Sequence, residues 1–520
     1  MAKVTVVKKN RYLDSVFLML LARRIAARPG ITDASAVLGT AANLAVLAGM
    51  GYGGADFAAA GANDLVLALE GEPDALEAVA ADAEAWLAQG SGTPGSAVRE
   101  PRTVAEAVAQ RPDSSLAVIS VPGEHAAREA RAALRAGLHV FLFSSNVPLA
   151  EEVDLKTEAA ARGLIVMGPD CGTAYLGGAG VGFANAVRRG PIGIVGSTGT
   201  GMQEFSCLVH QAGSGLSAGI GTGSRDLSDA VGGRSTLAAI EALEADPETR
   251  VVTVLAKPPD PAAAARLRSR LDRCAKPVVL CLLGAEPGRS GGNVRTAATI
   301  DGAARLALEA VGLDRAGLPE CDGADLRTAA AAQVARMGPR QRWIRGLFSG
   351  GTLCYQAQAI FRQAGLKVHA NAPLEGMPEL SDPHCSVGDT FVDLGAEIFV
   401  QGRPHPMIDG TQRRRRLEQE AEDPEVALVL LDFILGAISS RDPVGDLLGA
   451  VRGAQEAARR RGGHLCVAAS VCGTDQDAQG LQAQVRALAE AGVLVFHTAA
   501  QAAAFCREAM VMLRERKEVY

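Results

Sequence analysis

The chain has 520 residues, 48% of them apolar, ten cysteines and a formal net charge of −6. That length and apolar share fit several domains, while no apolar run approaches the ~20 residues of a membrane span. Aromatics at 4%, cysteines without a Cys-x-x-Cys pair and the lack of a basic stripe argue against nucleic-acid recognition, zinc ligation and a disulfide framework.

Residues 3–7 read as a strand and lack the apolar core of a secretory signal, so a cytoplasmic location is expected, with no membrane and no nucleic acid as partner. A helix over 14–27, strands at 33–38 and 64–68 and a second helix over 73–87 make residues 1–92 a small α/β unit. It ends at the Gly/Ser/Pro run 90–96, the clearest linker in the chain. From 98 to 188, strands at 116–121, 139–143 and 164–167 alternate with helices at 124–136 and 151–162, the rhythm of a parallel Rossmann-type sheet. Ligands of such sheets bind beyond the carboxyl ends of the strands. Those ends carry Ser120-Val-Pro122, Ser144-Ser-Asn-Val-Pro148 and Gly168-Pro-Asp-Cys-Gly-Thr173, which makes Asn146, Asp170 and Cys171 candidates to touch substrate or a partner.

Segments 189–326 and 340–520 are related by duplication. Gly193-Ile-Val-Gly-Ser-Thr-Gly-Thr-Gly-Met-Gln-Glu and Gly346-Leu-Phe-Ser-Gly-Gly-Thr-Leu-Cys-Tyr-Gln each pass from a short apolar strand through a Gly/Ser/Thr turn into a helix closed by Gln-Ala-Gly. Asp246-Pro-Glu before a strand at 251–255 is matched by Asp423-Pro-Glu before 428–431, and the strand at 277–282 by 464–468. A loop at 284–292 and a hydrophilic joint at 312–326 complete the first copy; the second alone carries an insertion at 402–409. The expected fold class is α/β: several doubly wound parallel-sheet (flavodoxin- or Rossmann-like) domains with an internal duplication, plus the small N-terminal α/β unit.

A turn of this composition leaves backbone N–H groups bare at a helix N-terminus, where they and the helix dipole attract phosphate. Ser197, Thr198, Gly199, Thr200 and Gly201, with Ser349, Gly350, Gly351 and Thr352, are therefore candidate phosphate ligands, and two such turns could converge on one phosphoryl group. Glycine also suits any tight strand-to-helix turn, and that reading stays open. No Lys-Ser/Thr pair follows, so neither turn is a Walker A loop, and the dinucleotide fingerprint also fails. Gln203 and Gln356, in the first turn of each helix, could orient a carbonyl or act as caps. The run Arg413–Arg416, followed by Glu418, Glu420 and Glu422, reads as a solvated helix face. His210, His369 and His497 read as structural; His384 and His405, the latter near Asp409, sit in Pro-rich turns and are candidates to touch substrate or a partner. No histidine pair has metal spacing, so no metal is expected.

Gly168-Pro-Asp-Cys-Gly172, Gly193-Ile-Val-Gly-Ser-Thr-Gly-Thr and Asp246-Pro-Glu-Thr-Arg-Val-Val resemble the α subunit of succinyl-CoA synthetase. From Arg345 onward the chain resembles the carboxy-terminal domain of its β subunit. Fused in this order behind an extra N-terminal unit, the whole resembles FdrA-type proteins, with 98–188 similar to a CoA-binding domain. The resemblance implies that Ser197–Gly201 and Ser349–Thr352 point two helix N-termini at one phosphoryl group. Two departures stand out: residues 291–299, where the ligases keep a phosphorylated histidine, contain none, and Lys257 falls where a supporting carboxylate is expected. The ATP-grasp half and the Gly-rich coenzyme turn of the ligases are not found either. By resemblance, the expected activity is that of a carbamoyltransferase subunit converting oxalurate and phosphate to oxamate and carbamoyl phosphate in allantoin and purine nitrogen breakdown. Lys257, Gln203 and Arg225 would serve catalysis, carbamoyl phosphate or phosphate would be the ligand with coenzyme A a further candidate, and other subunits of a hetero-complex, or further copies of the chain, the partners. The alternatives are an acyl-CoA synthetase component needing a separate nucleotide-binding partner, and a non-catalytic phosphate- or CoA-binding scaffold.

Overall fold

The computed structural model describes residues 2–11, 13, 15–90, 101–285, 291–313, 318, 323–401 and 403–518. The linker 91–96, parts of the loop 284–292 and of the joint 312–326, Asp14 and Gly402 lie outside them. The chain forms two compact units, one of Met1–Thr103 with Gly395–Asp409, the other of Val104–Leu394 with Gly410–Tyr520. Among the described residues no helix is long and apolar enough to cross a membrane.

In the first unit β1 (Ala2–Lys8), β2 (Ile31–Leu38) and β3 (Leu65–Gly71) form an antiparallel sheet with β3 in the middle. Leu65, Leu67 and Leu69 face the helices Ser15–Ala26 and Pro73–Gly90, while Val66 and Ala68 face Leu47, Tyr52 and Phe57. Burial on both faces is why β3 reads as a continuous apolar run. The insertion near 402–409 belongs to this unit, where Arg23 Nη1 donates to Ile408 O at 2.8 Å. A helix at Ala41–Gly49, capped by the Thr40 hydroxyl, had no counterpart in the expected elements.

In the second unit β4 (Leu116–Ile119), β5 (His139–Leu142) and β6 (Val166–Met167) form a parallel sheet. β7 (Thr173–Leu176) and β8 (Ala179–Gly182) form a hairpin that leaves this sheet and joins the next one, across the boundary drawn at 188. That next sheet contains β9 (Arg189–Gly196), β10 (Leu216–Gly221), β11 (Val251–Ala256), β12 (Val278–Leu282) and β13 (Val294–Ala297) in the order β13-β12-β11-β9-β10-β7-β8. Glycines in β10 admit the hairpin: a Cβ on Gly219 would stand 2.7 Å from the Tyr175 ring. The last sheet is parallel throughout, with β14 (Trp343–Phe348), β15 (His369–Ala370), β16 (Thr390–Asp393), β17 (Val426–Ile434), β18 (Cys466–Cys472) and β19 (Leu494–Phe496) in the order β15-β16-β14-β17-β18-β19. Read inward from their last strands, β13-β12-β11-β9 and β19-β18-β17-β14 repeat one order, so the duplication holds at the level of topology.

Candidate functional site

β9 and β14 each lead into a helix of 13 residues, Gly199–Gln211 and Gly351–Gln363, and no side chain caps either start. The amides of Gly199, Thr200 and Gly201, and those of Gly351 and Thr352, therefore have no acceptor within their own helix. The two turns abut. The hydroxyls of Thr198 and Thr352 are hydrogen-bonded to each other. A Cβ on Gly350 would lie 3.0 Å from Thr200, and one on Gly201 would lie 3.0 Å from Thr352 Cγ2. Two positive helix ends brought this close repel one another, and negative charge at the junction offsets that repulsion.

The second turn holds negative charge of its own. Ser349 N and Gly350 N each donate to the Asp432 carboxylate at 2.8 Å, and Ser349 Oγ does so at 3.0 Å. Arg413 pairs with the same carboxylate at 2.8 Å, and Asp393 lies against Gly351. The arginine run is consequently not a solvated face: Arg413 and Arg416 are buried, three residues apart on the inner side of their helix, while Arg414 and Arg415 are exposed. Arg416 pairs with Glu420, which also holds Arg345 at 2.6 Å. Among the described residues the first turn has no such carboxylate: Ser197 N donates to Leu255 O at 3.2 Å. Beside the junction, Lys257 is exposed at the end of β11 with its ammonium 4.7 Å from the centre of the Tyr355 ring, a favourable cation–π distance.

Behind the turns the repeats exchange hydrogen bonds reciprocally. Gln356 Oε1 accepts from Ile300 N, at the start of the last helix of the first repeat, at 2.8 Å. Glu204 Oε1 accepts from Ala499 N, at the start of the last helix of the second, at 2.8 Å. Burial raises the Glu204 carboxyl to about 8. Its other oxygen has no partner among the described residues, and the side chain borders a cavity of 10 Å³ shared with Cys207, Cys472 and His497.

Gln203 is fully buried and donates to Asn185 Oδ1 at 3.1 Å, while Asn185 binds Leu435 O and Asp477 of the other repeat. Arg225 is ion-paired with Glu152 at 2.9 Å and donates to Val147 O at 2.7 Å. Asn146 and Asp170 both have positive φ at the strand ends of the β4–β6 sheet, where Asp170 N donates to Ser144 O at 3.0 Å. Cys171 is buried beside them, its thiol pushed up to about 12 by burial, so it is no nucleophile at neutral pH. The chain leaving this sheet packs closely on the first turn: a Cβ on Gly199 would lie 3.1 Å from Thr173 Oγ1. His384 is exposed, and its carbonyl accepts from Gln419. His405 and Asp409 belong to the first unit, where burial pushes the His405 imidazole down to about 4 and its Nδ1 accepts from Met407 N. A larger cavity, about 920 Å³, lies elsewhere in the second unit, along the helices Arg234–Ala245 and Pro261–Leu271.

Sequence reasoning missed Asp432, Arg413, Glu204 and Tyr355. Asp432 left one signal, an acid inside the apolar run Leu430-Leu-Asp-Phe-Ile434.

The first 102 residues match a family described as the AllF heavy metal-associated domain, and residues 347–510 match the CoA-ligase family. Residues 1–102 contain neither cysteine nor histidine, so methionine is the one soft donor they offer to a heavy metal. The uncharacterised Escherichia coli (strain K12) protein YahF is 40% identical over 505 residues, 97% of this chain and 98% of YahF. The α-2 subunit of the mitochondrial ADP-forming succinate–CoA ligase of Trichomonas vaginalis is 28% identical over 197 residues, 36% of this chain and 62% of that one. Among solved structures, the ATP citrate lyase from Methanothrix soehngenii in complex with citrate and coenzyme A aligns with 80% of this chain and 85% of its own, at 12% identity and a TM-score of 0.36. The CoA-ligase match corrects the expectation of a carbamoyltransferase: residues 347–510, which carry the second turn, fit a family of CoA ligases.

Proposed function

We propose a function from a settled premise: the chain belongs to the FdrA-like family of the succinyl-CoA synthetase superfamily, together with YahF. It is the anion-holding component of an acyl-CoA ligase-type enzyme and works with a separate nucleotide-binding partner. The observation that carries this reading is the meeting of two helix N-termini at Thr198 and Thr352. Coenzyme A would lie across the strand ends that carry Asn146 and Asp170, towards Gly199. Its thiolate would attack the carbonyl carbon of an acyl phosphate; the carbon–oxygen bond to phosphate breaks, and the leaving phosphate stays on the amides of Gly199, Thr200 and Gly201. Lys257 offsets its charge. Such preorganised donors are worth about a hundredfold or more in rate each. No histidine in 291–299 is needed as a covalent carrier in this scheme.

Calorimetric titration with coenzyme A, in the presence of inorganic phosphate, tests the reading. Saturable binding by the folded chain is expected. A folded chain that does not bind coenzyme A overturns it.

A further inference from the structure

We propose that Asp432 is the resident anion of the second turn and that it limits the paired turns to one exogenous anion, held at the first; the stoichiometric half rests on the anion-holding role proposed above. The carboxylate is 1% exposed and accepts from Ser349 N, Ser349 Oγ and Gly350 N. Three donors converging on one carboxylate are the arrangement an oxyanion cradle offers to a ligand. Here the ligand is part of the chain.

The two repeats differ in charge at one matched strand end beside the turns. In the first, Leu255 of β11 pairs with Gly196 at the end of β9. In the second, Leu431 pairs with Leu347, so the residue that comes level with Phe348, at the end of β14, is Asp432. A leucine in one repeat thus corresponds to an aspartate in the other. Ser197 N donates to the Leu255 backbone carbonyl, whereas Ser349 N donates to the Asp432 side chain. Among the described residues, the first turn is the one without a built-in carboxylate.

Arg413 fixes the resident anion. It is 3% exposed, pairs with Asp432 at 2.8 Å, donates from Nε to Leu347 O at 3.0 Å and stands 5.1 Å from the centre of the Phe433 ring. A buried guanidinium is costly without its counter-ion, so an arginine here commits the site to an anion. Asp393, against Gly351, adds a second negative group that repels phosphate from this turn. Asp432 is therefore a positioning residue: it offsets one helix end and leaves the other to the ligand.

The test replaces the carboxylate from outside. Asp432→Ala vacates a place beside Arg413 that a one-carbon carboxylate can fill, so sodium formate is expected to raise the Tm of this variant, with sodium chloride at equal ionic strength as control. It should leave the wild type and Asp432→Asn, whose amide fills the space, unmoved. Phosphate affinity at the first turn should rise severalfold in Asp432→Ala, because a negative charge beside that turn is gone, and return to the wild-type value with formate. If Asp432→Ala folds only in formate, that is the same supporting result. A Tm indifferent to formate overturns the resident-anion role, as does, where Asp432→Ala does not fold at all, an Asp432→Asn variant with the wild-type Tm, since that would show that Arg413 needs no counter-ion there. Two phosphates per wild-type chain overturn the stoichiometric half. A wild type that binds no phosphate defeats the functional reading and that half with it, while formate rescue still decides the role of Asp432.

Discussion

Glu204 and Gln356 make the same hydrogen bond from opposite repeats, and only Glu204 titrates. Its carboxyl titrates at about 8 in the fold against an ordinary 4.5. Between those values the native chain keeps a proton that the unfolded chain has released. Its contribution to stability is therefore full below about 4.5 and is lost as pH rises towards 8. Glu204→Gln copies the residue already used in the other repeat, so it should flatten the fall of Tm between pH 5 and 8, in units set by that linkage, and melt above wild type at the alkaline end. Parallel Tm–pH curves for the two proteins would reject this. At this scale the sequence was only partly legible. Gly199, Gly201 and Gly350 stood out by composition; close approach of the two turns explains Gly201 and Gly350, while Gly199 lies against Thr173. Asp432, Arg413 and Glu204 did not stand out, because what distinguishes them is burial beside a partner far along the chain.

At the scale of elements, the helix Leu149–Ala161 is tied to the turn after β10 through one buried lysine. Lys156 Nζ donates to Glu152 at 2.9 Å, to Asp226 at 2.8 Å and to Thr222 O at 2.9 Å. Asp226 in turn accepts from Ser235 N and Thr236 N, at the start of the helix Arg234–Ala245. Removing the cation leaves the buried Asp226 without its counter-ion and Glu152 with Arg225 alone, so Lys156→Met should cost about 3–5 kcal/mol in urea unfolding. A loss below about 1 kcal/mol, the range of an exposed pair, would show that the network is not what holds these elements. The strand–helix rhythm and the duplicated order were legible because each parallel strand and its crossover helix follow one another in sequence. The β7–β8 hairpin was not, because Gly177 and Gly178 between its short strands read as one more loop. The insertion at 402–409 looked like part of the second repeat, and chain order alone does not show that it packs with the first unit.

At the scale of the whole molecule, two copies of one α/β architecture face each other at helix starts, and one copy carries a carboxylate that the other lacks. Membership in the FdrA-like family was legible from motifs in their order, while the activity drawn from that resemblance was not: transferase and ligase chemistry ask for the same anion cradle. The central claim is that the meeting turns form an anion site, and calorimetric titration with inorganic phosphate of the wild type and of Gly199→Asp tests it most directly. The new carboxylate would sit on the first turn as Asp432 sits on the second, and like Asp432 it favours the helix start rather than unfolding it. The account predicts saturable binding by the wild type and none by the folded Gly199→Asp variant. Equal phosphate binding by both proteins, or none by the wild type, would contradict it.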